Sequence, residues 1–167
     1  MVLVRETVPD DWQALRDIRL EALRDAPTAF GSTYELEVLR GEAHWRDRVA
    51  RGGTFLAFVP EVSATEPAGL IGGYQEDPVT VELVSMYVRP RARGRGVGEA
   101  LVAAVIDWAG NRNAECVRLW VTETHGVTLE QPSSDAAVIE AAARSALERF
   151  TGRRPVRLLG VRAEFGT

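Results

Sequence analysis

The run Arg91-Ala92-Arg93-Gly94-Arg95-Gly96-Val97-Gly98 puts three glycines and three arginines within eight residues, and no other stretch of the chain is as well equipped for chemistry. Val79 to Val88 before it is rich in β-branched and aromatic residues, and Leu101, Val102, Val105, Ile106 and Ala109 after it recur at helical spacing. The glycines therefore fall where a strand becomes a helix. Glycine lets backbone approach a ligand closely, the first amides of a helix lack intrahelical acceptors, and the helix dipole is positive at that end. Such a junction is a cradle for anions, phosphate oxygens among them. No Gly-Lys-Ser/Thr follows and the spacing is not a dinucleotide fingerprint, which disfavours nucleotide hydrolysis. Two plainer readings stand beside the cradle: a tight turn with solvated arginines, and, counting Arg89, a patch for nucleic-acid phosphates. The interleaved glycines and Pro90 favour a loop built around a cofactor.

Other reactive residue types are sparse. His44 and His125 are isolated, and Cys116 has no Cys or His partner at ligand spacing, so no metal site is expected. No serine or cysteine sits in a nucleophile-elbow pattern, which argues against catalysis through a covalent intermediate on such a residue. Trp12, Trp45, Trp108 and Trp120 suit a core or a pocket wall. A charge of −4 over 167 residues supplies no global field for polyanions, disfavouring bulk nucleic-acid or anionic-membrane binding. A single cysteine excludes an internal disulfide, and with no basic-then-apolar leader pattern a reducing, cytoplasmic setting is expected. No apolar run approaches the roughly 18 to 20 residues of a bilayer span, and no membrane partner is expected.

The elements that must position the loop follow from periodicity. Val2-Leu3-Val4 is a strand signal. Asp10 and Asp11 precede a helix with Leu15, Ile18, Ala22 and Leu23 on one face, stopping near Ala26-Pro27. A second helical stretch is expected around Tyr34 to Arg51, ending at Gly52-Gly53, then strands at Thr54 to Val59, Leu70 to Gln75 and Val79 to Val88. After the glycine-led helix, Val117, Leu119 and Val121 alternate with Arg118, Trp120 and Thr122, predicting a half-buried strand over Cys116 to Thr122. Ser133-Ser134-Asp135 caps a helix striped by Ile139, Ala143, Ala146, Leu147 and Phe150, and Val156 to Phe165 reads as a last strand. There is no internal repeat and no linker-like segment, so residues 1–167 are expected to form one α/β domain.

Met86-Tyr87-Val88-Arg89-Pro90 followed by Arg91-x-x-Gly94-x-Gly96-x-Gly98 resembles the acetyl-CoA-binding motif of the GNAT N-acetyltransferase superfamily, and the order of elements over residues 1–123 is similar to that family's core. The resemblance implies a mixed, partly splayed central sheet with helices on both faces. It implies that Arg91, Arg93, Gly94, Arg95, Gly96, Val97 and Gly98 hold the pyrophosphate of coenzyme A, while Met86, Tyr87 and Val88 pair with its pantetheine arm. It also implies acetyl transfer from acetyl-CoA to a primary amine of a small molecule or peptide. In some relatives a glutamate at the position of Glu82 deprotonates the incoming ammonium, which makes Glu82 the candidate general base.

The chain departs from the family after Trp120. Glu123-Thr124-His125-Gly126 stands where an asparagine is expected, and Ser134 to Phe150 lacks the tyrosine that normally protonates the departing thiolate. The tyrosines of this chain are Tyr34, Tyr74 and Tyr87, so water is expected to serve or the step to be slow. A coenzyme A binder without turnover is the alternative. Residues 124–167, with Arg154-Pro155-Val156-Arg157-Leu158-Leu159-Gly160-Val161, resemble the end of the little-finger domain of Y-family DNA polymerases, as if a chimeric C-terminus had been joined to the core. That resemblance implies possible phosphate contacts for Arg154, Arg157 and Arg162, the weakest of the three functional readings in an acidic chain. The tail is expected to complete the same sheet, with Val156 to Phe165 parallel to Cys116 to Thr122 through a crossover helix. A sheet edge left there would suit a second copy in a homodimer.

Overall fold

Leu15, Ile18, Ala22 and Leu23 are each at most 1% exposed, and their common stripe lays helix α1 (Trp12–Asp25) on a central sheet. The computed structural model describes residues 1–63, 65–119 and 163–164. Strands β1 (Leu3–Glu6), β2 (Thr54–Phe58), β3 (Gly69–Gln75), β4 (Thr80–Val88), β5 (Cys116–Leu119) and β6 (Ala163–Glu164) are hydrogen-bonded in sequence order. Every neighbouring pair is antiparallel except β4 and β5, which run parallel and are joined through helix α4 (Val97–Gly110).

Helices cover both faces, as the alternation along β2 shows. Phe55 and Ala57 join the core formed with Val97, Leu101 and Val105 of α4, while Leu56 packs on the other side with Ile18 and Ala22 of α1. The expected mixed α/β sheet is thus what the residues build. The helical stretch over Tyr34 to Arg51 is instead two helices, α2 (Tyr34–Glu37) and α3 (Glu42–Ala50). Gly41 is extended where the chain leaves the first for the second, and Leu39 is 84% exposed, so its apolar side chain was no sign of a continuous buried face. Trp45 and Val49 of α3 form a separate small core with Leu15.

β6 pairs with β5 antiparallel, with Cys116 opposite Glu164 and Val117 opposite Ala163. The parallel return expected from the crossover rule is therefore wrong, because that rule governs only strands that come back in the same direction. The helix expected over Ser134 to Phe150, residues 120–122 of the Trp120 strand and most of Val156 to Phe165 lie outside the described residues.

One irregularity in β4 positions the site. Leu70 faces Tyr87, but Gly72 faces Val84, so β4 carries an extra residue there, and Ser85 takes a left-handed φ of 58°. Before the bulge Val81 and Leu83 face α4; after it Tyr87 packs on α1 with Ile18 and Ala22. Alternation then puts Glu82 on the α1 face as well, the same face as Tyr87, whereas an unbroken strand would have opposed them.

A candidate coenzyme A site

The chain turns from β4 into α4 through a single 3-10 turn at Pro90–Ala92 and the glycine run. Ala92 is fully buried and Val97 nearly so, pinning the loop at both ends against the sheet. Between them Gly94 and Gly96 adopt φ of 71° and 76°, which an L side chain takes only at a cost of about 1–2 kcal/mol. A Cβ at either would meet nothing within 4 Å, so the outer surface of the loop is open backbone. Gly96 caps α4, and its carbonyl accepts from Ala100, leaving the amides of Val97, Gly98 and Glu99 at the positive end of the helix.

Beneath the loop lies a cavity of about 300 Å³ walled by Met86, Tyr87 and Val88 of β4, by the loop from Ala92 to Gly98 except Arg95, and by Asp25, Ala26, Ala29 and Phe30 at and after the end of α1. The residues assigned to pantetheine and most of those assigned to pyrophosphate are therefore brought together on one hollow. An elongated, partly apolar ligand with phosphates at one end fits this combination of open amides and a lined cavity.

The loop arginines are not simply solvated. Arg93 donates from Nη2 to Asp25 at 2.8 Å and from Nε to the carbonyl of Val88 at 3.0 Å. Arg91 pairs with Glu66, and the buried Arg89 pairs with Glu21 at 2.7 Å and Glu66 at 3.1 Å. Three arginines thus tie the loop to α1 and to the segment before β3. Arg95 stands exposed at the crown. Tyr87 donates from its hydroxyl to Glu21 at 3.3 Å; burial, and then the charge of Glu21, push the phenol up to about 12.

Glu82 is half-buried, opposite Tyr74 on β3 and Arg118 on β5. It does not line the cavity but lies on the same strand across the bulge. Beside that bulge the structure assembles a cluster that sequence reading passed over. Arg19, 5% exposed, grips Glu37 through Nη2 at 2.7 Å and Nε at 3.1 Å, and its guanidinium lies 4.7 Å over the ring of Phe30. Arg19 and Arg48 both donate to Ser85 Oγ, at 3.3 and 3.2 Å. Ser85 is therefore a shared acceptor and not ordinary strand packing. Burial alone would raise the Glu37 carboxyl, but hydrogen bonds and charge from Arg19, with help from Ser32 and Arg48, hold it below its usual range. The signal was present in Arg19 itself, which stands four residues from both Leu15 and Leu23 and so falls on the apolar stripe.

Comparison with known proteins supplies the family. Residues 12–128 match the acetyltransferase (GNAT) family. No curated protein matches. Among solved structures, the chain is similar to a Mycobacterium tuberculosis protein in complex with CoA, at 15% identity and TM-score 0.61 over 98% of this chain and 99% of that one. It is similar to the PaiA N-acetyltransferase of Thermoplasma acidophilum in complex with coenzyme A, at 12% identity and TM-score 0.61, covering 99% of each chain. A third similar structure is AAC(6')-Iy with a CoA-S-monomethyl-acetylneamine bisubstrate analogue, at 15% identity and TM-score 0.56, covering 87% of this chain and 89% of that one. At such identities the structures speak for the fold. The resemblance of residues 124–167 to a Y-family polymerase finds no support in these comparisons: the family match runs on through residue 128, and apart from Ala163 and Glu164 the segment lies outside the described residues. With the family match spanning well over half of its length, this chain belongs to the GNAT acetyltransferases.

Proposed function

We propose that this chain binds acetyl-CoA and transfers its acetyl group to a primary amine, without a metal and without a covalent acyl-enzyme. The observation that carries the reading is the single hollow shared by Met86 to Val88 and the glycine loop. The amides of Val97 and Gly98 and the exposed Arg95 hold the pyrophosphate, and the Gly94–Gly96 backbone leaves room for it. Met86 and Val88 wall the pantetheine arm. Bound there, the thioester supplies an activated acetyl carbon and a thiolate leaving group.

The acceptor arrives as an ammonium and must lose a proton before its lone pair can attack. Glu82, directly or through water, takes that proton on the α1 face of β4. The C–N bond forms, the C–S bond breaks, and the thiolate recovers a proton from water, since the described tyrosine nearest the hollow, Tyr87, is committed to Glu21. The similar structure solved with a CoA-S-monomethyl-acetylneamine bisubstrate analogue supports a small-molecule acceptor.

The test separates binding from turnover. Gly96→Asp crowds the loop and sets a carboxylate against phosphate, so calorimetry should show coenzyme A affinity reduced by about 100-fold or more. Glu82→Gln should bind coenzyme A normally and lose about 10²-fold in amine-dependent thiol release near neutral pH. Unchanged affinity in the first variant would remove the loop from the site. Full turnover in the second would leave the deprotonation to solvent, and a wild type that binds coenzyme A yet releases no thiol with any amine would be a binding module.

A further inference from the structure

The cluster at the β4 bulge carries charge that nothing above uses. It contains two guanidiniums, Arg19 and Arg48, one carboxylate, Glu37, and two hydroxyls, Ser85 and, on Glu37, Ser32. Glu37 is spent on Arg19, with which it makes a near-bidentate pair, and lies 3.8 Å from Arg48. Arg48 has a hydrogen bond to Ser85 and a side chain one-quarter exposed. The cluster adjoins the hollow on two sides: Ser85 immediately precedes Met86, and Phe30, under the Arg19 guanidinium, lines the cavity. Glu82 is three residues back on β4 and, by alternation with Val81 and Leu83, falls on the α1 face of the sheet.

We infer that Arg48, held in place by Ser85 and backed by the Arg19–Glu37 pair, binds a carboxylate on the acceptor, so that the acceptor is a small amino acid-like molecule carrying both an amine and a carboxylate. This rests on Glu82 serving the amine. An acceptor lying along β4 would set its amine at Glu82 and its carboxylate at the Arg48 guanidinium beside Ser85, and Glu82 and Ser85 are roughly 10 Å apart along the strand. Several bonds must therefore separate amine from carboxylate. A planar guanidinium with free donors is suited to carboxylate, and its partial burial strengthens the hydrogen bonds it can make. The electrostatics agree: burial, and then the charge of Arg19, pull the Arg48 guanidinium below its ordinary value against the opposing pull of Glu37, so an incoming anion would relieve an under-compensated cation.

The experiment compares each amino carboxylate with the same molecule lacking its carboxylate: glycine with methylamine, 4-aminobutanoate with propylamine, 6-aminohexanoate with pentylamine. The longer acids should exceed their partners in kcat/KM by about 10- to 100-fold, as expected for a charge-assisted pair. In Arg48→Met the ratio should fall to about one, and in Arg48→Lys much of it should return. Equal rates for acid and amine, or a ratio that survives Arg48→Met, would overturn the inference. Should no amine turn over while coenzyme A binds, the acetyl-transfer reading fails by itself. Calorimetry of 6-aminohexanoate into the coenzyme A complex then decides this one: binding lost on decarboxylation and in Arg48→Met upholds it, and no binding ends it.

Discussion

Glu37 shows how much one buried carboxylate can hold. It is 7% exposed on the four-residue helix α2, and its partners come from α1 and α3, so three helices meet at one side chain. Removing a single partner of such a pair strands the other charge, at a cost of about 3–5 kcal/mol. Glu37→Gln should therefore lower stability by that order near neutral pH. Its carboxyl lies below the usual value in the folded chain, so its contribution is complete above the ordinary carboxylate range and is lost as pH falls through the lowered value. Urea unfolding at neutral pH and at about pH 3 should show the gap between variant and wild type closing in acid. A gap of constant size would mean that packing, not charge, supports α2. At this scale the place of the glycine loop between β4 and α4 was legible from residue types alone, because the glycines separate a β-branched run from a run of helical period. The Arg19 cluster was not, since its members are scattered over positions 19, 37, 48 and 85 and only the fold brings them together.

Elements were easiest to read where burial imposes a period. β2, β3 and β4 were placed within two residues of their observed ends, β2 and β4 because they are rich in β-branched and aromatic residues and β3 because its Leu70 and Ile71 are fully buried between flanking turns. The bulge in β4 left no such trace: Ser85 is neither glycine nor asparagine, and its left-handed backbone is held by two arginines from other elements. The junction of α3 with β2 is a sharper constraint. Gly53 has φ of 71°, and a Cβ there would come 2.5 Å from the carbonyl oxygen of Gly73 and 2.9 Å from the ring of Trp108 on α4. Backbone cannot step aside cheaply while Gly73 donates to the Gly53 carbonyl at 2.7 Å. Gly53→Ala should combine left-handed strain of about 1–2 kcal/mol with overpacking of about 1–3 kcal/mol. The expected result is a markedly lower thermal midpoint, with coenzyme A affinity retained at temperatures where the variant is folded. A midpoint within a degree or two of wild type would show that β2 and α4 separate more easily than their packing implies.

For the whole molecule, the open question is whether residues 124–167 belong to the same cooperative unit as the family-like core. We propose one unit, and the pairing of β6 with β5 supports it. A two-residue strand adds little by itself, but it occupies the edge that β5 would otherwise present, and an uncovered edge is a template for other chains. On the opposite side β5 is bonded to β4, the strand that carries Glu82, the bulge and the walls of the hollow, so loosening β5 reaches the site through one neighbour. A fragment ending at Glu123 should therefore lose its β5 cover, associate through that edge and melt over a broad range. Size-exclusion chromatography with light scattering and a thermal unfolding scan would read both properties. In the intact chain any dimer formed across this edge would have to displace β6, so the full-length protein should remain in one state over a dilution series in which the fragment does not. A monomeric fragment with a sharp transition and unaltered coenzyme A affinity would overturn the single-unit proposal and make residues 1–123 an autonomous domain to which the tail is only attached.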